Sequence, residues 1–270
     1  MQRPLMFQKL TNALEGLRAI TQFDRVFFTL CQRMLGRRLG WTIYAKGRLK
    51  FLVDHLAGDQ NGTRDCIAGP MYRELFKEMQ MPQQLRLLDL GANGGGFPLL
   101  CLDLGFALSE LTCVEVNPFT HSRLSLNIRH NVGLRAKVLN VAVGGHSRQL
   151  TLSFPPGGTD FSIYGAKDGA ANEEAIIEVL TFDEVMSRGF SDGVVDLCKM
   201  DVEGAEYEVF LGDTADSLRR VHYLIIEIHA AEPTKQDALL RKLMSQGFER
   251  IKTSSTCDDV HLFVNRQWVD

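Results

Sequence analysis

Residues Leu87–Phe97 read LLDLGANGGGF. An apolar run closes on the acid Asp89, a turn dense in glycine follows, and Phe97-Pro98 opens a helical pattern. Glycine lets the backbone turn sharply and lets another group approach it closely, and proline suits the first turn of a helix. The stretch therefore predicts a strand over Leu85–Leu90, a tight turn, and a helix over Phe97–Leu104. The same texture continues outward. Leu111–Val116, Ala136–Val141, Val194–Met200 and Val221–Ile228 read as strands, with helices at Pro118–Asn131, Phe182–Arg188, Ala205–Leu211 and Thr234–Ser245 between or after them. Gln149–Phe154 and Ile176–Leu180 read as two strands around a glycine-rich loop, and Phe248–Lys252 with Val260–Asn265 as a closing antiparallel pair. Repeated strand–helix–strand units specify an α/β fold with a mostly parallel sheet covered on both faces. Ligands of such sheets bind beyond the carboxyl ends of the strands.

The strand ends carry the chemistry. After the first strand, the helix start offers N–H groups to an anion. A nicotinamide enzyme is expected to show G-x-G-x-x-G; here the turn reads G-x-x-G-G-G, and Asp89 places a carboxylate where a pyrophosphate would sit. An amino-acid-like ligand suits it better, with its carboxylate on the turn and its ammonium near the acid. S-adenosylmethionine has both groups. The second strand ends in Glu115, which can accept hydrogen bonds from both hydroxyls of a ribose. Asn140–Gly144, including Ala142, is apolar enough to flank an adenine ring.

The strand at Val194–Met200 is the most informative. Val195, Leu197, Lys199 and Asp201 alternate onto one face. A lysine and an aspartate in a central strand are costly unless paired or facing a cleft. Asp201, Glu203 and Glu206 surround one turn, and the next strand directs Glu227 and His229 to a common side. A structural ion pair between Lys199 and Glu227 is the alternative use of those two side chains.

At 270 residues and 30.3 kDa the chain holds one large α/β domain or a smaller one with an appendage. A net charge of −3 excludes a strongly basic polyanion-binding surface, so no nucleic-acid partner is expected. Cys31, Cys66, Cys101, Cys113, Cys198 and Cys257 contain no C-x-x-C pair and read as reduced core thiols of a cytoplasmic protein. No run reaches the ~20 apolar residues of a membrane span. Residues 1–65 are expected to form a helical N-terminal extension. Phe7, Leu10, Leu14 and Leu17, then Phe23, Phe27, Leu30 and Met34, recur at helical steps, and the charges there lean positive. Such a segment covers the next domain or makes peripheral contact with the inner membrane face through residues 1–40. Gly58–Gly69 reads as a linker to a catalytic domain over 66–270.

LLDLGANGGGF, VEVNP (114–118) with NIRHN (127–131), VLNVAVGG (138–145), DLCKMDVEGAEYEVF (196–210) and LIIEIH (224–229) together resemble the FkbM-type family of S-adenosylmethionine-dependent methyltransferases. The resemblance covers about Met71 to Asn265 and implies a class I methyltransferase (Rossmann-like) fold with a seven-stranded sheet. It implies an O-methyltransferase acting on a hydroxyl of a sugar, glycan or secondary metabolite. Cofactor contacts are implied at Asp89, Gly91, Asn93, Gly94 and Glu115, with Phe97, Val116, Asn117, Ala142 and Asp201 completing the expected set. GGTDFSIYG (157–165) matches the family's Ser-rich loop only loosely. Methyl transfer to a hydroxyl calls for a base within reach. Asp201 or His229 is expected to take the proton, with Glu203 and Glu227 orienting the acceptor. A divalent metal on Asp201, Glu203 and Glu227 would assist but has no sequence signature here. The competing readings are a non-catalytic cofactor-binding subunit, a methyltransferase with a nucleic-acid acceptor, and a nicotinamide oxidoreductase. The sequence does not set the oligomeric state.

Overall fold

The computed structural model describes residues 19–35, 40–154, 173–212 and 215–269. After a helical pair at 19–20, the described residues form helix α1 (Val26–Leu35) and a hairpin of β1 (Trp41–Lys46) and β2 (Leu49–Asp54). A π-helical turn at Gln60–Asp65 runs into a short helical turn, Cys66–Ala68, and then α2 (Pro70–Phe76). Next come β3 (Gln84–Leu90), α3 (Gly96–Asp103), β4 (Ala107–Val114), α4 (Pro118–Asn131), β5 (Lys137–Leu139) and β6 (Ala142–Val143). They are followed by β7 (Arg148–Phe154), β8 (Glu173–Leu180), α5 (Phe182–Gly189), β9 (Val195–Met200) and α6 (Glu206–Leu211). The chain closes with β10 (Val221–Glu227), α7 (Pro233–Ser245), β11 (Phe248–Thr253) and β12 (Val260–Asn265).

Seven strands share one sheet in the order β5-β4-β3-β9-β10-β12-β11. β12 runs antiparallel to β10 and β11, and the other pairings are parallel. Strand order reverses at β3, which has β4 on one side and β9 on the other, so the crevice for a ligand opens there. The central strands are apolar on both faces, as a sheet covered twice requires. Leu87, Leu197 and Ile225 pack with Tyr72, Phe97 and Leu124 on one face. Leu88, Leu90, Cys198, Met200 and Leu224 pack with Phe182, Val185 and Leu239 on the other. Strands β6, β8 and β7 form a separate small sheet.

The N-terminal region departs from the expected helical extension. Residues 41–54 form a hairpin whose inner face, Tyr44, Phe51 and Val53, is buried against Ile20 and Phe23. Alternation of period two, with Gly47 at the turn in a left-handed conformation (φ 56°), favours this over a helix. The open edge of β2 is closed by a helix. Asn127 Oδ1 accepts from Leu52 N at 2.7 Å and its Nδ2 donates to Leu52 O at 3.0 Å, while Asn131 does the same for Lys50 at 3.1 and 2.7 Å. Two asparagines one helical turn apart thus take the place of a pairing strand.

Residues 58–69 are likewise no free linker. Asp59, fully buried, pairs with Arg123 of α4, whose Nη2 donates to Asp59 Oδ1 at 2.8 Å. Lys46 reaches Asp103 at 2.8 Å. The expected helix over residues 7–39 is observed at 19–20 and 26–35; residues 7–18 and 36–39, like the loop at 157–165, lie outside the described residues. Among the described residues no helix is long and apolar enough to cross a membrane. All six cysteines are free.

Candidate active site

The glycine turn is set by backbone contacts. Gly91 N and Ala92 N both donate to Val114 O, at 3.0 and 2.9 Å. Gly91 has φ +74°, and a Cβ there would lie 1.7 Å from the Asp201 carbonyl oxygen. Only glycine lets β3 and β9 turn past each other at that point. Gly94 and Gly96 serve a different purpose. A Cβ on Gly94 would meet Thr63 Oγ1 at 2.1 Å, and one on Gly96 the Gly62 carbonyl at 2.3 Å. These glycines admit the 60–68 segment, and Gly94 is not among the residues lining the cavity at the carboxyl edge of the sheet.

A cavity of about 540 Å³ lies across the carboxyl ends of β3, β4, β9 and β10. Gly91, Ala92 and Asn93 form its floor, and Glu115, Val116, Val141, Ala142 and Val143 one end. Lys199, Asp201, Glu203 and Glu227 form the other end. Phe97 lines it as well. The remaining wall was not foreseen: Asn61, Gly62, Asp65, Cys66, Met71 and Tyr72 all come from the supposed linker and the start of α2. The turn-rich composition of 58–69 concealed that wall. Its one sequence signal is Gly62, whose missing side chain accommodates Asn93; a Cβ would sit 2.4 Å from Asn93 Cγ.

Asp89 lies in register with Lys199 across the β3–β9 pair. It is fully buried, outside the cavity lining, and neither carboxylate oxygen has a hydrogen bond among the described residues. The Lys199 ammonium sits 3.7 Å from Asp89 Oδ1 and 3.4 Å from Asp201 Oδ2, and donates to Gly91 O at 2.8 Å. Lys199 thus pairs with Asp89 and Asp201, in place of the alternative partner Glu227. Burial opposes the Lys199 charge, but Asp201 and Asp89 outweigh it and hold its pKa well above the usual value. Burial pushes Asp89 up to about 6 against the pull of Lys199. Lys199 lines the cavity and stands between it and Asp89.

Glu115 is buried at the end of β4 and lines the cavity. Its two oxygens accept from Asn93 N at 3.0 Å and Asn117 N at 2.8 Å. A carboxylate has about four lone-pair sites, so two remain for ribose hydroxyls. Burial raises its pKa to about 7 against those two amides. Asn93 takes φ +48° to aim its amide at Glu115. Asn117 is fully buried and caps α4, accepting from Phe119 N at 3.0 Å; it holds Glu115 without lining the cavity.

Asp201, Glu227 and His229 converge, each offering an atom within 4.8 Å of the others. His229 lies between two carboxylates. Its Nε2 lies 3.3 Å from Glu203 and its Nδ1 3.3 Å from the fully buried Glu206, which also accepts the His229 backbone N–H at 2.8 Å. Glu203, then Glu206, raise its pKa to about 11. In its protonated form the ring has no lone pair with which to take a proton from an acceptor. Asp201, Glu227 and His229 are spaced as the ligands of a metal ion would be, and no step below uses one. Glu227 is different: burial, then the neighbouring Asp201 charge, raise its carboxyl to about 7. Tyr72, 6% exposed, has its ring held edge-on against Phe97 at 5.0 Å. No described residue hydrogen-bonds its hydroxyl, and burial keeps the phenol neutral, well above its usual pKa.

A sheet of this strand order, with a charged cavity across its carboxyl edge at the switch point, is the Rossmann-like architecture of class I methyltransferases. The chain belongs to the FkbM methyltransferase family: the methyltransferase FkbM domain matches residues 89–251. Similar solved structures include methyltransferase FkbM from Methylobacillus flagellatus KT, at 17% identity and TM-score 0.45, over 69% of this chain and 44% of that one. Another is the fibrillarin of Aeropyrum pernix with natively bound S-adenosyl-L-methionine, at 16% identity and TM-score 0.42, over 70% of each chain. A third, from Streptococcus agalactiae, belongs to the NADB-Rossmann superfamily, at 14% identity and TM-score 0.40, over 68% of this chain and 62% of that one. The chain thus spans less than half the length of the Methylobacillus protein. No curated protein matches it.

Proposed function

We propose that the chain is an S-adenosylmethionine-dependent O-methyltransferase acting on a hydroxyl of a sugar, glycan or secondary metabolite. The observation that carries this reading is the meeting of Asp201 and Glu227, from adjacent strands, at one end of a cavity whose other end holds Glu115. The cavity suits an adenosyl amino acid. Val116, Val141 and Ala142 offer apolar walls for adenine, Glu115 offers acceptors for ribose, and Gly91–Asn93 offers bare backbone. Among the described residues, five carboxylates (Asp65, Glu115, Asp201, Glu203, Glu227) and one cation, Lys199, line it, which favours a positively charged ligand. S-adenosylmethionine supplies a methyl group already activated on a sulfonium.

The chain's residues must align an acceptor oxygen and take its proton. Glu227, with a pKa near 7, is a stronger base than an ordinary carboxylate and is ionised in a useful fraction at neutral pH. Asp201 sustains that pKa by its charge. A hydroxyl has one proton and two lone pairs. Donation to Glu227 and acceptance from the Tyr72 phenol leave one lone pair to aim at the methyl carbon. His229 clamps Glu203 and Glu206, so that the turn carrying Asp201 keeps its shape.

The test is a screen of sugar and polyol acceptors with labelled donor, followed by Glu227→Gln. Turnover should fall about 10²- to 10⁴-fold, with affinity for S-adenosylhomocysteine unchanged. A variant that turns over like the parent would remove Glu227 from this role.

A further inference from the structure

We propose that the face carrying Phe27 and Phe28 docks on an anionic lipid bilayer. Phe27 is 81% and Phe28 59% exposed, side by side at the start of α1. The other side of that helix cannot release them inward: Thr29 is buried, and Val26 and Leu30 pack on the cluster of Phe23, Tyr44 and Phe51. Two adjacent phenyl rings in water form an apolar patch that calls for a cover. The charges around them specify what covers it. Arg25, exposed, immediately precedes the two rings. The hairpin turn bearing the exposed Arg48 is held at the same corner. Gly47 N donates to Asp24 Oδ2 at 2.8 Å, and Asp24 N to Ala45 O at 2.7 Å.

The corner belongs to a strong asymmetry along the chain. Residues 1–50 hold ten Lys and Arg against two Asp and Glu; the remainder holds twenty against thirty-one. An anionic surface attracts the first part of the chain, which carries Phe27 and Phe28, and repels the rest. Among the described residues no helix is long and apolar enough to span a bilayer, so the contact is one of insertion at the interface.

The experiment is co-sedimentation of the full chain with vesicles of equimolar phosphatidylglycerol and phosphatidylcholine, and with pure phosphatidylcholine, at low and high salt. The parent should bind the mixed vesicles about tenfold more tightly than the neutral ones, and release at high salt. The double variant Phe27→Ser/Phe28→Ser should lose about tenfold in partitioning with Tm and sedimentation coefficient unchanged. Three results would overturn the proposal. The parent could stay in the supernatant with mixed vesicles, or the double variant could partition like the parent. Or the variant could shift Tm or oligomeric state, which would mean that the chain's own residues or a second copy cover the rings. Affinity for S-adenosylhomocysteine plays no part in these outcomes.

Discussion

Asp89, one residue before the end of β3, has both carboxylate oxygens buried, and the Lys199 ammonium, 3.7 Å away, is what compensates its charge. Removing one member of a buried pair costs more than the pair contributes, because the other is left uncompensated. Lys199→Met should therefore lower unfolding free energy by about 3–5 kcal/mol, measured by urea denaturation; a midpoint equal to the parent's would contradict the pairing. Gly91→Ala forces a Cβ onto the Asp201 carbonyl in a left-handed conformation. It should cost on the order of 3 kcal/mol and abolish S-adenosylhomocysteine binding. Tyr72→Phe separates a ligand-directed hydroxyl from a structural one. With no protein partner to lose, it should leave Tm at or slightly above the parent value while turnover falls; a drop in Tm would assign the hydroxyl to the fold. That Lys199 needs a partner is legible in the sequence. The choice among Glu227, Asp89 and Asp201 is not, because it depends on the cross-strand register that sets Asp89 against Lys199.

The elements of the main sheet are legible because continuous apolar runs and glycine turns report them directly, and the closing β11–β12 pair forms as expected. The hairpin at 41–54 carries its own signal, Leu49, Phe51 and Val53 at alternate positions beside Gly47, but helical spacing just before it dominates the reading. The wall at 60–72 is harder. Its fit rests on Gly62 against Asn93 and on Thr63 against Gly94, contacts about thirty residues apart that no local pattern predicts. NIRHN gains a physical meaning only in three dimensions, where Asn127 bonds both polar groups of Leu52 and also Gly94 O at 2.8 Å. Asn127→Ala leaves three backbone groups without partners and should cost about 3 kcal/mol, read by denaturation. Hydrogen exchange at Leu52 should accelerate in parallel. Unchanged protection there would show that the helix does not close this edge.

Across the whole molecule, buried acids set how stability follows pH. Asp89, Glu115 and Glu227 are raised to about 6, 7 and 7. The folded chain thus keeps protons that the unfolded chain releases between about pH 4 and 7, and stability falls as pH rises through that window. His229, raised to about 11, adds the same slope on the alkaline side: its contribution is full below its unfolded value and is lost as pH climbs toward 11. The ligand-free protein should therefore melt higher at about pH 5.5 than at about pH 7.5, and Glu227→Gln should flatten that difference. A parent whose Tm rises with pH over the same range would contradict the burial of these acids. The central claim is that the acid-lined cavity accepts an adenosyl amino acid. Titration calorimetry of the full chain with S-adenosylhomocysteine tests it most directly. Saturable binding with Kd in about the micromolar range, weakened at least about tenfold by Glu115→Ala, is the result expected; absence of heat, or unchanged binding in that variant, would contradict it.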